Sequence, residues 1–112
     1  MYKKLIDNKE FILSKQLLRC ATSIGANVEE GTAAQSRKDF ISKMCIASRE
    51  SREAKYWLRL LDTSKLVDID YSAYLINIDH IINILTKIVK TSQETVPQYF
   101  KIKNSTFKIG FL

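Results

Sequence analysis

Apolar residues recur between Gln16 and Leu61 at alternating steps of four and three, in two stripes separated by Glu29-Glu30-Gly31-Thr32. The first stripe is Leu17, Ala21, Ile24 and Val28. The second is Phe40, Met44, Ala47, Ser51, Ala54, Leu58 and Leu61. This spacing puts each set along one side of a helix that faces other helices. The second stripe is small in its middle, at Ala47, Ser51 and Ala54, and bulky at both ends, a waist that permits close helix crossing. A third stripe, Tyr71, Leu75, Ile78, Ile82, Leu85 and Val89, marks another helix. A further row on it, Tyr74, Ile81, Ile84 and Ile88, makes that helix apolar around most of its circumference. A lone bundle of this size buries one such face and solvates the other. Two faces therefore imply that a second subunit covers the remainder.

The pattern predicts helices over about 10–30, 36–64 and 71–91. Gly31 stands where the residue beyond a helix C-terminus belongs. Gly25 lies inside the first helix, at a cost of ~1 kcal/mol against alanine. With small Ser23 and Ala26 beside it, Gly25 reads as a point where another backbone comes close. Ser36 opens the second helix, with Asp39 three residues later as a variant capping box. Asp68 or Asp70 can cap the third. Residues 1–9 read as the tail of a helix, and Pro97 as a helix stop. In the tail Gln98–Leu112, Phe107, Ile109 and Phe111 alternate with Lys108 and Gly110. It reads either as a disordered terminus or as an extended arm that packs on a neighbour or on nucleic acid. The division that follows is a helical bundle domain over 1–95 and a tail or arm over 96–112.

Scarcity of turn residues supports the all-α reading: three glycines and one proline in 112 residues are too few for a β fold. No apolar run reaches the ~18 residues of a membrane span, and no long apolar block follows the first lysines, so no signal peptide is expected. A soluble cytoplasmic protein is the expectation. The net charge of +6 is unevenly spread. Residues 37–65 carry eight basic and four acidic side chains, and 66–86 carry three aspartates with no lysine or arginine. Residues 87–112 carry five lysines and one glutamate. Such zoning suits nucleic acid, an acidic partner, or docking between copies of the chain.

Catalytic and metal-binding constellations are poorly represented. Two cysteines, Cys20 and Cys45, and one histidine, His80, do not make a four-ligand zinc set. Both cysteines read as packing residues, and His80 as a polar neighbour on its helix. Glu29, Glu30, Glu50 and Glu53 resemble a two-metal carboxylate set, but the Glu-x-x-His spacing such sites use is missing. Salt bridges account for them better. No phosphate loop or Ser-His-Asp set is present. The expectation is no enzyme, no metal and no cofactor. Arg49, Arg52, Lys55 and Arg59 recur at steps of three and four, with Lys38 further along the same helix. They form a positive ridge, read either as phosphate contacts or as a solvated face partly neutralised by Glu50 and Glu53. Few aromatics interleave with it, so base stacking there is not expected.

The block Ser14-Lys-Gln-Leu-Leu-Arg-Cys-Ala-Thr-Ser-Ile-Gly-Ala-Asn-Val-Glu-Glu-Gly31 is more specific than a generic helix. Followed by Gln35-Ser-Arg-Lys-Asp-Phe-Ile41 and Tyr56-Trp-Leu-Arg-Leu-Leu61, it closely resembles the bacterial family of proteins encoded by intervening sequences of 23S ribosomal RNA genes. The matching positions are Gln16, Leu17, Arg19, Ala21, Ser23, Ile24, Ala26, Asn27, Glu30 and Gly31, and the likeness covers about residues 10 to 93. It implies an antiparallel up-and-down four-helix bundle that assembles into a ring, typically a pentamer. Relatives serve as accessory subunits of diversity-generating retroelements, so the resemblance implies RNA or DNA and a reverse transcriptase as partners. Ser23, Asn27, Glu30 and Gly31 are its structural signature here, with Asn27 read as a buried hydrogen bond that fixes register. The family has a full helix ahead of the signature, where this chain has only Met1–Lys9. Either the true start lies upstream, or the first helix is short or missing and another element covers the groove it leaves.

Overall fold

The computed structural model describes the backbone of residues 1–103 and the side chains as far as Glu94. Four helices follow one another: α1 (Tyr2–Asp7), α2 (Ile12–Thr32), α3 (Arg37–Ser64) and α4 (Ser72–Lys103). The described residues contain no strand. The all-α bundle with a short first helix is therefore what the chain forms.

Each turn between helices has a local chemical cause. Lys9 adopts a left-handed φ of 61°, and the Glu10 N–H returns to the Leu5 carbonyl at 2.9 Å, closing α1. The Glu10 carboxylate then accepts from the Ser14 N–H at 2.8 Å and so caps α2. The Ser36 hydroxyl accepts from the Asp39 N–H at 3.1 Å, the expected cap of α3. Lys65, with a φ of 58°, ends α3. Of the two aspartates considered for the last cap, Asp70 is the one used: its Oδ1 accepts from the Ser72 N–H at 2.9 Å. That bond holds the Asp70 carboxyl below its usual range.

Packing follows the stripes, with a shift on α2. The whole second stripe from Met44 to Leu61 is buried, its small waist at the centre of α3. On α2 the buried row is Leu13, Leu17 and Cys20, continued by half-buried Ile24 and Val28, and Ala21 is exposed. One cluster joins Leu5, Leu17, Cys20, Leu58, Tyr71 and Ile78. A second, towards the other end, gathers Val28, Phe40, Met44, Ala47 and Leu85. α3 packs against both α2 and α4, whereas the backbones of α2 and α4 stay apart among the described residues and share only the side-chain clusters between them. The three long helices thus occupy three corners of a bundle, and the six-residue α1 caps only one end of the fourth. Ile81 and Ile84, of the second apolar row on α4, are 38% and 57% exposed.

Three expectations are corrected. Gly31 does not end α2: the helix runs one residue further, and neither glycine of α2 has a positive φ. Its reason is space, because a Cβ there would stand 2.5 Å from Met44 Cε and 3.4 Å from Lys43 Cβ. Gly25, expected to admit a neighbouring backbone, has nothing within 4 Å of an added Cβ. The close approach expected at Gly25 thus falls at Gly31, and Gly25 sits in open space within the helix. Pro97 does not stop α4, whose backbone continues to Lys103. A proline removes one helical hydrogen bond and crowds the carbonyl four residues back, yet a helix already nucleated over many turns can propagate through it. The alternation of Phe107, Ile109 and Phe111, and most of the expected arm, lie outside the described residues.

Candidate nucleic-acid interface

The positive ridge of α3 is not uniform once α4 is laid beside it. The two helices run antiparallel, which sets Lys55 against Asp79 with Nζ and Oδ1 2.7 Å apart. Lys55 is therefore neutralised by the acidic stretch that lies beyond the turn in sequence. One turn earlier on α3, Arg52 Nη2 donates to Thr86 Oγ1 at 2.8 Å. Arg49 lies a further turn along, on the rim of a groove of about 410 Å³ between α3 and α4. Ser48, Arg49 and Arg52 from α3 and Thr86, Lys90 and Gln93 from α4 line it, with no carboxylate among the lining residues. Lys38 and Arg59 are exposed and make no ion pair among the described residues. They lie roughly 15 Å to either side of Arg49 at 1.5 Å per residue.

The structure thus brings together Arg49 and Arg52 of the sequence candidates, leaves Lys38 and Arg59 as outliers, and pairs Lys55 with Asp79. It also adds Lys90. Only the basic character of residues 87–112 hinted at Lys90, because its place depends on the α3–α4 register.

The glutamates form ion pairs between α3 and α2, with Glu53 also one turn from Arg49 on α3. Arg19 of α2 donates through Nη1 to Glu50 at 2.9 Å and through Nη2 to Glu53. The Trp57 indole N–H donates to Glu53 at 3.1 Å. That indole bond, with the Arg19 charge, holds the Glu53 carboxyl below its usual range. Glu30 pairs with Lys43 at 3.0 Å. Cys20, Glu50 and Glu53 bring donor atoms within 4.8 Å of one another, a set that could hold a metal by distance alone. The Arg19 cation, which already engages both carboxylates, opposes that use; burial pushes the Cys20 thiol up to about 12. Cys20 is fully buried, in line with a packing role, and Cys45 is exposed on the groove wall.

Asn27 departs from its expected role. Its Nδ2 donates to the Ser23 carbonyl at 2.8 Å and to Ser23 Oγ at 3.3 Å, both within α2. The amide is half-buried, and the bonds it donates stay within its own helix and do not set the register between helices. Among the signature residues, Glu30 and Gly31 meet α3 directly, through Lys43 and Met44.

Long antiparallel helices with a cation-bearing, largely apolar-walled groove and a partly uncovered apolar side define an all-α bundle protein. The model of the 23S rRNA-intervening sequence protein family matches residues 1–87, and the chain belongs to that family. A crystal structure of a protein of unknown function from the S23 ribosomal protein family of Bacteroides thetaiotaomicron is similar in sequence and fold. It is 44% identical with a TM-score of 0.75, over 80% of this chain and 85% of that one. No functionally curated protein matches. Among the described residues, no helix is long and apolar enough to cross a membrane.

Proposed function

We propose that this protein is a non-enzymatic, self-associating helical bundle of the cytoplasm that offers its basic surface to RNA or DNA, as an accessory subunit of a ribonucleoprotein. The convergence of Arg49, Arg52 and Lys90 on a groove without carboxylates carries this reading. Structural charges in this protein are matched across helices, as Arg19, Lys43 and Lys55 are. The groove lining itself holds no carboxylate, although Glu53, one turn along α3, feels the charge of Arg49.

Self-association is supported by the uncovered side of the bundle. Ile81 and Ile84 on α4 and Leu18 on α2 are exposed, and among the described residues no helix covers them. A ring of five, the assembly that the family resemblance implies, would carry about +30, a field one copy cannot supply. A reverse transcriptase as protein partner belongs to the same resemblance. The alternative is a purely structural interaction module whose charge serves docking or solubility; the complementary Lys55–Asp79 pair shows that charge here also joins helices.

Fluorescence anisotropy with structured RNA at two salt concentrations separates the two, alongside solution mass by light scattering. Binding that weakens with salt, and is abolished by Arg52→Glu with Arg59→Glu, supports the nucleic-acid reading. No binding at low salt removes it and leaves the structural module. A stable monomer at micromolar concentration removes the self-association.

A further inference from the structure

We infer that the α3–α4 groove is a seat for a phosphodiester group of single-stranded nucleic acid, with Lys90 of α4 completing the set begun by Arg49 and Arg52. This rests on the nucleic-acid reading above and narrows it to one site and one kind of strand.

Three observations support it. The first is preorganisation: the Arg52–Thr86 bond ties one guanidinium N–H to the opposite helix, leaving the other donors of that group for a ligand. Arginine's fork suits phosphate oxygens, while Lys90 supplies a point charge from the facing helix. The second is chemistry: Ser48 and Gln93 add neutral hydrogen-bonding groups, and Val89 offers an apolar wall for a sugar face. No aromatic lines the groove, so bases are not read there and binding should tolerate sequence. The third is shape: the groove is shallow and open along its length, so a flexible strand can reach its cations from solvent.

A duplex is a stiff rod that needs a row of contacts along the helix surface, and Asp79 interrupts that row by neutralising Lys55. A single strand can bend one phosphate into the cleft. Three cations predict a shallow salt dependence, with a slope of roughly −2 in log affinity against log salt.

The test uses the full chain, with circular dichroism to show that each variant folds. A short labelled oligothymidylate, and a duplex of the same length, are titrated at low and moderate salt. Lys90→Glu should weaken single-strand binding about tenfold or more, because one phosphate contact becomes a repulsion. Thr86→Val, which frees Arg52 without changing charge, should weaken it by a smaller factor. Lys38→Glu with Arg59→Glu, outside the groove, should change it less than Lys90→Glu does. Unchanged binding by Lys90→Glu, with loss in the Lys38/Arg59 variant, would overturn the groove as the site while leaving nucleic-acid binding intact. Duplex binding as tight as single-strand binding would overturn the choice of strand. Failure of the unmodified protein to bind either at low salt would overturn this inference and the reading beneath it.

Discussion

Adding one methyl group at Gly25 and, separately, at Gly31 tests the packing argument with little else changed. Gly25 lies in the interior of α2 and Gly31 next to its last residue, so Gly→Ala brings an intrinsic gain of ~1 kcal/mol from helix propensity at Gly25 and at most that at Gly31. The surroundings differ as well. At Gly25 the new Cβ meets nothing within 4 Å, and the gain is kept. At Gly31 it meets Met44 Cε at 2.5 Å, and Met44 is only 3% exposed. The thioether is flexible, but its end must move within a packed cluster, at a cost of about 1–3 kcal/mol. For a chain of 112 residues, ~1 kcal/mol corresponds to a shift of about 4 °C in Tm. Gly25→Ala should therefore raise Tm by about 4 °C, while Gly31→Ala leaves it unchanged or lowers it by as much as about 8 °C. Thermal unfolding followed by circular dichroism, at two protein concentrations, reads both. Equal shifts in the two variants would refute the assignment of the close approach to Gly31. A fall in Tm for Gly25→Ala that grows with protein concentration would refute the claim that its space is open, and would put a second chain there.

Further outcomes follow from the core and its charges. In native protein a thiol reagent should modify Cys45 readily and Cys20 only on unfolding, because Cys20 is buried and its thiol is pushed up to about 12. Two equally fast thiols would contradict that packing. Tyr71→Phe removes the hydroxyl that donates to the buried Val67 carbonyl at 2.9 Å, and should cost ~1 kcal/mol in urea unfolding with an unchanged m-value. Glu53 and Asp70 have carboxyls held below their usual values by the Trp57 indole and the Ser72 N–H respectively. Depressed folded values contribute stability that is present above the ordinary carboxyl range and is lost as pH falls through it, below about 4.5 for Glu53. Glu53→Gln should flatten that acid limb of a Tm-against-pH profile. An unchanged limb would mean that the Trp57 and Arg19 contacts do not hold in solution.

The helices themselves were legible along the chain because their causes are local. A period of three and four exposes an apolar side, Ser36 reaches only as far as Asp39, and Asp70 only as far as Ser72. The stripe of α3 was readable almost residue by residue, and so was the excess apolar surface of α4. Pairwise relations between distant segments were not. Periodicity says that Gly25 and Gly31 both lie on α2, but only the arrangement of α3 decides which one meets Met44. Asn27 looked like a register device and proved to bond its own helix. The same limit governs the basic surface. Sequence alone established an all-α chain with a cationic α3 and a signature shared with its family. The antiparallel register of α3 and α4 decided that Asp79 cancels Lys55 and that Lys90 joins Arg49 and Arg52. Charge acts through distance in space, and distance in space between remote residues is set by helix packing, which no local pattern encodes.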